Sequence, residues 1–154
     1  KIENFASNKT KIEMEDVLKL SNLAENYDAS ELIDSCLSKN NRKTIKILNE
    51  NNYSIEDCIL IIRTFLIKSK RLLKLCYELE NKKNIDVVIT SFKPPIFWKD
   101  KEIVKKQISS WSYKNVQNLI FEINNIELLI KKNSNNSINI LSNFIIEQTA
   151  IVSS

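Results

Sequence analysis

The sequence predicts an all-helical protein, organised as a compact helical bundle, and three observations lead to that prediction. The 154 residues include no Gly and only two Pro, so the chain is poor in the tight turns that sheets need. Apolar residues recur at the i, i+3, i+4, i+7 spacing of a helix through most of the chain. The apolar fraction of 43% and the charged fraction of 27% are those of an ordinary globular domain with its own core.

Eight helices follow from the apolar periodicity. We expect them at residues 12–20, 28–38, 42–50, 55–81, 85–89, 101–110, 113–132 and 137–152. The segment 85–89 also fits a strand, because it contains consecutive β-branched residues. Asn133 to Asn136 is expected to be the loop before the last helix.

Helix-start signals fix two of these elements. Asp28, with Glu31 three residues later, has the pattern of a capping box. Ser54 is a suitable N-cap for the longest helix, and Asp57 lies in its first turn. The first half of that helix is apolar nearly all round, so we expect it to be central. In the preceding helix, Ile45 and Leu48 are the expected buried positions.

Missing residue types exclude several classes of enzyme. The chain has no His, so it contains no Ser-His-Asp or Cys-His system and no His-ligated metal. It has no Gly, so no Gly-rich phosphate loop is present. The acidic pairs Glu13/Asp16 and Glu78/Glu80 lack a third ligand and are interpreted as solvated charge. We therefore expect no catalytic residues, no cofactor, no metal and no small-molecule substrate.

The cysteines and the search for targeting signals bear on the cellular environment of the chain. Cys36, Cys58 and Cys76 are far apart among apolar residues, and we interpret them as small buried hydrophobes in a reducing compartment. No apolar run reaches the roughly 18–20 residues of a membrane span, and no signal peptide is recognisable. The chain begins with Lys1 rather than Met, so we expect it to be the C-terminal part of a longer protein.

A row of basic residues on the longest helix is open to two interpretations. At 100° per residue, Lys70 and Lys74 lie about 20° to either side of Arg63, with Lys68 and Arg71 flanking them. The formal net charge of +4 is compatible with phosphate contacts. The row also fits a solvated helix face, which we favour because no aromatic residue interleaves with it to stack on a base.

The two tryptophans are predicted to lie in the core, around the Pro94-Pro95 turn. A partner-binding role for Trp98 is the alternative. Beside Trp98 lies a second basic cluster, which Asp100 and Glu102 dilute, so we interpret it as another solvated face. That cluster consists of Lys99, Lys101, Lys105 and Lys106.

The order and spacing of several segments resemble the C-terminal half of the delta subunits of bacterial DNA polymerase III, in their alphaproteobacterial form. The resemblance covers nearly the whole chain, although each segment is a diffuse helical pattern. These segments are IEMEDV at 12–17, ASELID at 29–34, TIKILN at 44–49, ILIIRTF at 59–65, PPIFW at 94–98, ISSWS at 108–112 and IELLIK at 126–131.

The resemblance implies a fold, a division into domains and the lack of ATPase activity. Residues 1–27 would be the end of a small helical lid domain, and 28–154 a helical collar that packs against other loader subunits. The clamp-gripping N-terminal domain would lie outside this sequence. The chain departs from the family where Lys39-Asn40-Asn41 and Ile45 replace the usual Gly and Ala, and in the Asn-rich turn at 133–136.

The resemblance also implies a function and partners. This part would be a non-catalytic assembly module of a clamp loader in the bacterial cytoplasm, within a nucleotidyltransferase complex. Its partners would be subunits of the gamma/tau and delta-prime types, with primed DNA in the assembled loader and the sliding clamp held elsewhere. We expect solvent exposure for some of five interface candidates, namely Phe97, Trp98, Phe144, Ile145 and Ile151. The alternative is a nucleic-acid-binding module that uses Arg63, Lys70, Arg71 and Lys74.

Overall fold

A computed structural model describes residues 28–82 and 84–150, and this part of the chain is all-helical, without a strand. Two short 3-10 turns, Trp98–Asp100 and Ser134–Asn136, precede the fifth and seventh helices. The helices are α1 (28–37), α2 (Asn41–Glu50), α3 (Ile55–Lys82), α4 (Ile85–Ser91), α5 (Lys101–Ser110), α6 (Tyr113–Lys132) and α7 (Ser137–Ala150).

These bounds confirm the predicted helices from α2 to α6 to within two residues, and the segment that also fitted a strand is helical. Asp28 already lies inside α1 instead of preceding it, so the predicted capping box at this position is wrong. The predicted helix at 12–20, the division at residue 27 and the last residues of the chain lie outside the described residues.

Helix α3 is the centre of the domain, as its nearly all-round apolar first half predicts. It contacts α4, α5, α6 and α7. Ser54 is the predicted N-cap of this helix, and with Asp57 it forms a capping box, in which Asp57 N donates to Ser54 Oγ at 3.1 Å and Ser54 N donates to Asp57 Oδ2 at 2.9 Å. Phe65 is fully buried and packs its ring against that of Phe144 on α7, with centroids 5.7 Å apart.

Helix α2 buries a different residue from those the pattern indicates. Ile45 and Leu48 are only half-buried, whereas Thr44 is fully buried. The Thr44 hydroxyl donates to the backbone oxygen of Asn40 at 2.8 Å. Burial of the hydroxyl is tolerated because this hydrogen bond replaces its contact with water.

The turn between α1 and α2 places a lysine where glycine is usual. Lys39 has φ of 61°, in the left-handed region. Lys39 N donates to Cys36 O at 3.0 Å and Asn40 N to Ser35 O at 2.9 Å, which is the Schellman pattern of a helix end. The Lys39 ammonium donates to Gln148 O at 2.6 Å, so the same residue joins α1 to α7.

Polar contacts inside the domain join α1, α3 and α5. Lys68 Nζ lies 3.0 Å from Asp34 Oδ1, and both side chains are only 14% exposed. Gln107, itself buried, donates its amide to Asp34 O and Asp34 Oδ1, each at 3.2 Å. Because Lys68 is committed to this pair, it is part of the interior and does not extend the basic row on the surface.

Candidate partner-binding surface

Two adjacent aromatic residues extend into solvent just before α5. Phe97 is 57% exposed and Trp98 is 69% exposed. Their ring centroids lie 6.0 Å apart with an angle of 45° between the planes, and Lys99 Nζ lies 5.5 Å from the Trp98 ring centroid. The rings therefore form one continuous apolar surface beside a cation.

The local sequence holds these rings outward. Pro94 and Pro95 restrict the backbone before them, and Ile96 is buried at 7% exposure, which fixes the turn to the core. Asp100 N donates to Phe97 O at 2.9 Å and closes the 3-10 turn. Such a restricted segment loses little conformational entropy when it binds a partner, so the free-energy cost of binding is lower.

The prediction that both tryptophans lie in the core is half correct. Trp111 is 8% exposed, its Nε1 donates to Leu37 O at 2.8 Å, and Lys39 Nζ lies 3.8 Å from the ring centroid. Trp98 is not a core residue, because Ile96 is the residue of this turn that packs into the core, and Phe97, Trp98 and Lys99 after it are all exposed. Its exposure agrees with the alternative interpretation as a residue available to a partner.

Two other interface candidates are corrected by the structure. Phe144 is 5% exposed and Ile145 is fully buried, because α7 packs both against the core. They have no surface to offer a partner in this domain. Ile151 lies outside the described residues. Of the five candidates, Phe97 and Trp98 are the two that the structure shows in solvent.

The basic row on α3 is exposed as predicted, but its residues differ in whether a carboxylate lies nearby. Arg63 Nε lies 3.8 Å from Glu127 Oε1 on α6, and Lys131 lies 3.3 Å from the same carboxylate. Lys70 and Lys74 are exposed and have no carboxylate within 4.0 Å in the described part of the chain. The positive end of the row is therefore its C-terminal end.

An aromatic residue lies just beyond that end, outside the row in which the sequence predicts no interleaved aromatic residue. Tyr77 is 54% exposed, three residues beyond Lys74. Its ring contacts that of Tyr113 at the start of α6, with centroids 6.0 Å apart and a plane angle of 49°. The position of Tyr77 beside the basic row could be found from the sequence, because Tyr77 lies about 40° from Arg63 around the helix. Its pairing with Tyr113 depends on how α3 and α6 pack.

Arg71 and one lysine of the second cluster are less accessible than the other basic residues, whereas Lys99, Lys101 and Lys106 are exposed. Arg71 is half-buried, and Lys105 lies 3.3 Å from Asp86 Oδ1 on α4. Glu78, proposed above as solvated charge, pairs with Lys82 at 3.1 Å along α3. Across residues 28–82 and 84–150, no three His, Cys, Asp or Glu side chains lie together as a metal site.

The three cysteines are free and buried, as the sequence predicts. Burial raises the pKa of Cys36 to about 12, with a smaller opposing effect of the nearby Lys39 charge. Burial also raises the pKa of Cys76 to about 11, and the Glu80 carboxylate adds to the rise. A thiol that keeps its proton is a poor nucleophile and a poor metal ligand, so these residues act as core hydrophobes.

Among the described helices, none is both long enough and apolar enough to cross a membrane. Comparison with protein-family models, with curated proteins and with solved structures gives no significant match.

Proposed function

We propose that this chain is a non-catalytic assembly module, the lid end and collar of a clamp-loader subunit of the delta type. It would pack against other loader subunits so that the full-length protein can open the sliding clamp and load it on primed DNA. The all-helical fold and the arrangement around the central α3 support this proposal. The resemblance of the seven sequence segments supports the particular family.

The observation that carries the proposal is the exposed pair Phe97 and Trp98. With 57% and 69% of their surfaces exposed, the two rings present roughly 250 Å² of aromatic area to solvent. Burying that area would contribute about 6 kcal/mol before the entropic cost of association. Large aromatic residues on a restricted backbone are typical of the residues that dominate binding energy at protein interfaces.

The proposed partners are clamp-loader ATPase subunits of the gamma/tau type and a delta-prime-type subunit. The Phe97–Trp98 surface would enter an apolar pocket on one of them, and the charged residues around it would form the polar rim. The sliding clamp itself would be held by the N-terminal domain that the resemblance implies. An interface of this kind depends on apolar burial and is little affected by salt.

Co-purification with those subunits from the same organism tests the proposal. The complex is measured by size-exclusion chromatography at about 0.15 M and about 1 M salt, where screening differs strongly. We expect a complex at both concentrations, and a loss of at least about tenfold in affinity for Trp98→Ala. Phe121→Ala is the matched control, because Phe121 is equally exposed at 69% on another helix, α6.

A second candidate function rests on Lys70 and Lys74, which are exposed without ion pairs among the described residues. In a nucleic-acid-binding module these lysines would contact phosphates, with Arg63 and Arg71 beside them. Binding to primed DNA would then fall steeply as salt rises, because phosphate contacts release counterions. If no subunit complex forms and salt-sensitive DNA binding is found, the assembly proposal is contradicted and this second function replaces it.

A further inference from the structure

A groove of about 480 Å³ lies where the C-terminal part of α3 meets α4 and the start of α6. Phe97 and Trp98 are not among its lining residues, and Phe92 in its lining belongs to the hydrophobic core. Leu73 and Phe92 provide apolar surface, and Tyr77 and Tyr113 add their rings. The remaining lining residues are polar or charged, namely Lys74, Glu78, Lys82, Ser91 and Lys93.

The tyrosine pair determines what shape of ligand the groove accepts. The two rings contact each other at a centroid distance of 6.0 Å, so no planar ring can insert between them. Tyr77 is 54% exposed and Phe92 is 9% exposed, so the apolar surface of the groove extends from a solvent-exposed ring to a buried one. This shape suits one large apolar side chain that enters from solvent.

The charges around the groove are mostly positive. Among the described residues of the lining, Glu78 is the one that is acidic, and it is paired with Lys82 at 3.1 Å. Lys82 also donates to Ser91 Oγ at 3.2 Å, which holds it at the edge of the groove. Lys74 and Lys93 form no ion pair with any described residue, so they remain available to negative charges of a ligand.

The geometry points to a docking site for an acidic peptide segment in which one aromatic or large aliphatic residue is flanked by Asp or Glu. The apolar side chain would lie against Tyr77, Tyr113 and Leu73. The flanking carboxylates would contact Lys74 and Lys93, which is the charge complementarity that such a groove offers. This inference does not depend on the proposed assembly function.

A single-stranded nucleic acid fits the same groove less well. Strand binding without sequence preference uses separate aromatic faces on which successive bases stack, along a continuous basic groove. Here Tyr77 and Tyr113 contact each other at an angle of 49°, with centroids 6.0 Å apart, so they are one paired contact and not two separate stacking faces. The basic row that leads away along α3 is interrupted where Arg63 pairs with Glu127.

Fluorescence anisotropy with labelled probes tests the inference on the full chain. The probe is the hexapeptide EDDFDE, compared with EDDSDE, KRRFKR and a labelled twelve-residue oligothymidylate. We expect saturable binding of EDDFDE, at least about tenfold weaker binding of EDDSDE, and none of KRRFKR. Loss of the aromatic contact and reversal of the charges each remove one of the two features that the groove recognises.

Variants of the lining residues locate the binding. Lys93→Glu and Tyr77→Ala should each weaken EDDFDE binding by at least about tenfold. Lys132→Glu is the charge-matched control, because this exposed lysine lies at the opposite end of α6 from the groove. Phe121→Ala is the aromatic control, with 69% of its surface exposed. Circular dichroism of each variant checks that it is folded.

Each outcome decides the inference. Absence of EDDFDE binding, or binding that Lys93→Glu and Tyr77→Ala leave unchanged in folded protein, overturns it. Binding of the oligothymidylate but not of the peptide also overturns it and assigns the groove to nucleic acid. Trp98→Ala should leave peptide affinity unchanged, and Lys93→Glu should leave the subunit complex intact, so failure here is distinct from failure of the assembly proposal.

Discussion

Replacement of Asp34 by alanine removes the acceptor at the centre of the interior contact between α1, α3 and α5. Asp34 Oδ1 lies 3.0 Å from Lys68 Nζ and 3.2 Å from the Gln107 amide nitrogen. Asp34→Ala leaves an ammonium group and an amide with one partner fewer in an environment where water has little access. An unpaired polar group in such a place costs its desolvation free energy.

The magnitude follows from the burial of the pair. Exposed ion pairs contribute about 0–1 kcal/mol, and breaking a fully buried pair costs about 3–5 kcal/mol. Both side chains are 14% exposed, which places this pair close to the buried limit. The aliphatic part of Lys68 lets its ammonium move toward water, which lowers the cost. We therefore expect Asp34→Ala to reduce the free energy of unfolding by about 3 kcal/mol.

Urea denaturation followed by circular dichroism measures this change, and thermal unfolding should show a midpoint lower by about 6–12 °C. The double variant Asp34→Ala/Lys68→Met removes both charges and should recover at least about 1 kcal/mol of the loss. A loss below about 1 kcal/mol for Asp34→Ala would show that the pair behaves as a surface contact, and the reasoning from burial would be refuted.

Three further predictions concern helix ends and the buried thiols. Ser54→Ala removes the side-chain acceptor of the capping box and should lower the free energy of unfolding by about 1 kcal/mol, measured in urea. Lys39→Gly should be more stable than Lys39→Ala by at least about 1 kcal/mol in the same assay, because only glycine avoids the left-handed backbone penalty at φ of 61°. Burial raises the pKa of Cys36 to about 12 and that of Cys76 to about 11, well above the usual thiol pKa that applies in the unfolded chain. Above about pH 9 the unfolded chain therefore binds fewer protons than the folded one, and the urea midpoint should fall as pH rises toward 12.

Matched variants control for these effects. Ser109→Ala changes an exposed serine within α5 that caps no helix, so its stability should stay within about 0.5 kcal/mol of the unchanged protein. Equal stability of the glycine and alanine variants at residue 39 would contradict the backbone argument. For the thiols, the double variant Cys36→Ser/Cys76→Ala should show a smaller fall of the urea midpoint above pH 9. An unchanged fall would assign the pH dependence to other groups.

The helices could be predicted from the sequence because their determinants are local. Ser54 and Asp57 lie three residues apart, and the capping box they form needs no other part of the chain. The bounds of α5 and α6 follow from Ser112 and from the apolar spacing on either side of it. The missing capping box at Asp28 shows the limit of this argument, because the pattern was present but α1 already includes that residue.

The candidate site was only partly predictable. Phe97 and Trp98 were among the interface candidates, but so were Phe144 and Ile145, which α7 buries in the core. All four are large apolar residues, and nothing in their local sequence separates those that face the core from those that face solvent. The groove was missed because Tyr77 lies on α3 and its partner ring lies on α6.

By itself, the sequence determined the all-helical class, the positions of most helices and the absence of any histidine or glycine chemistry. These properties depend on residue types and on spacings of three or four residues, which a single chain segment carries. Tertiary structure alone decided that Trp111 is buried while Trp98 is exposed, and that Asp34, Lys68 and Gln107 meet. Those outcomes depend on which distant segments pack together. The hydrophobic effect is non-directional, so an apolar side chain does not by itself specify which segments it packs against.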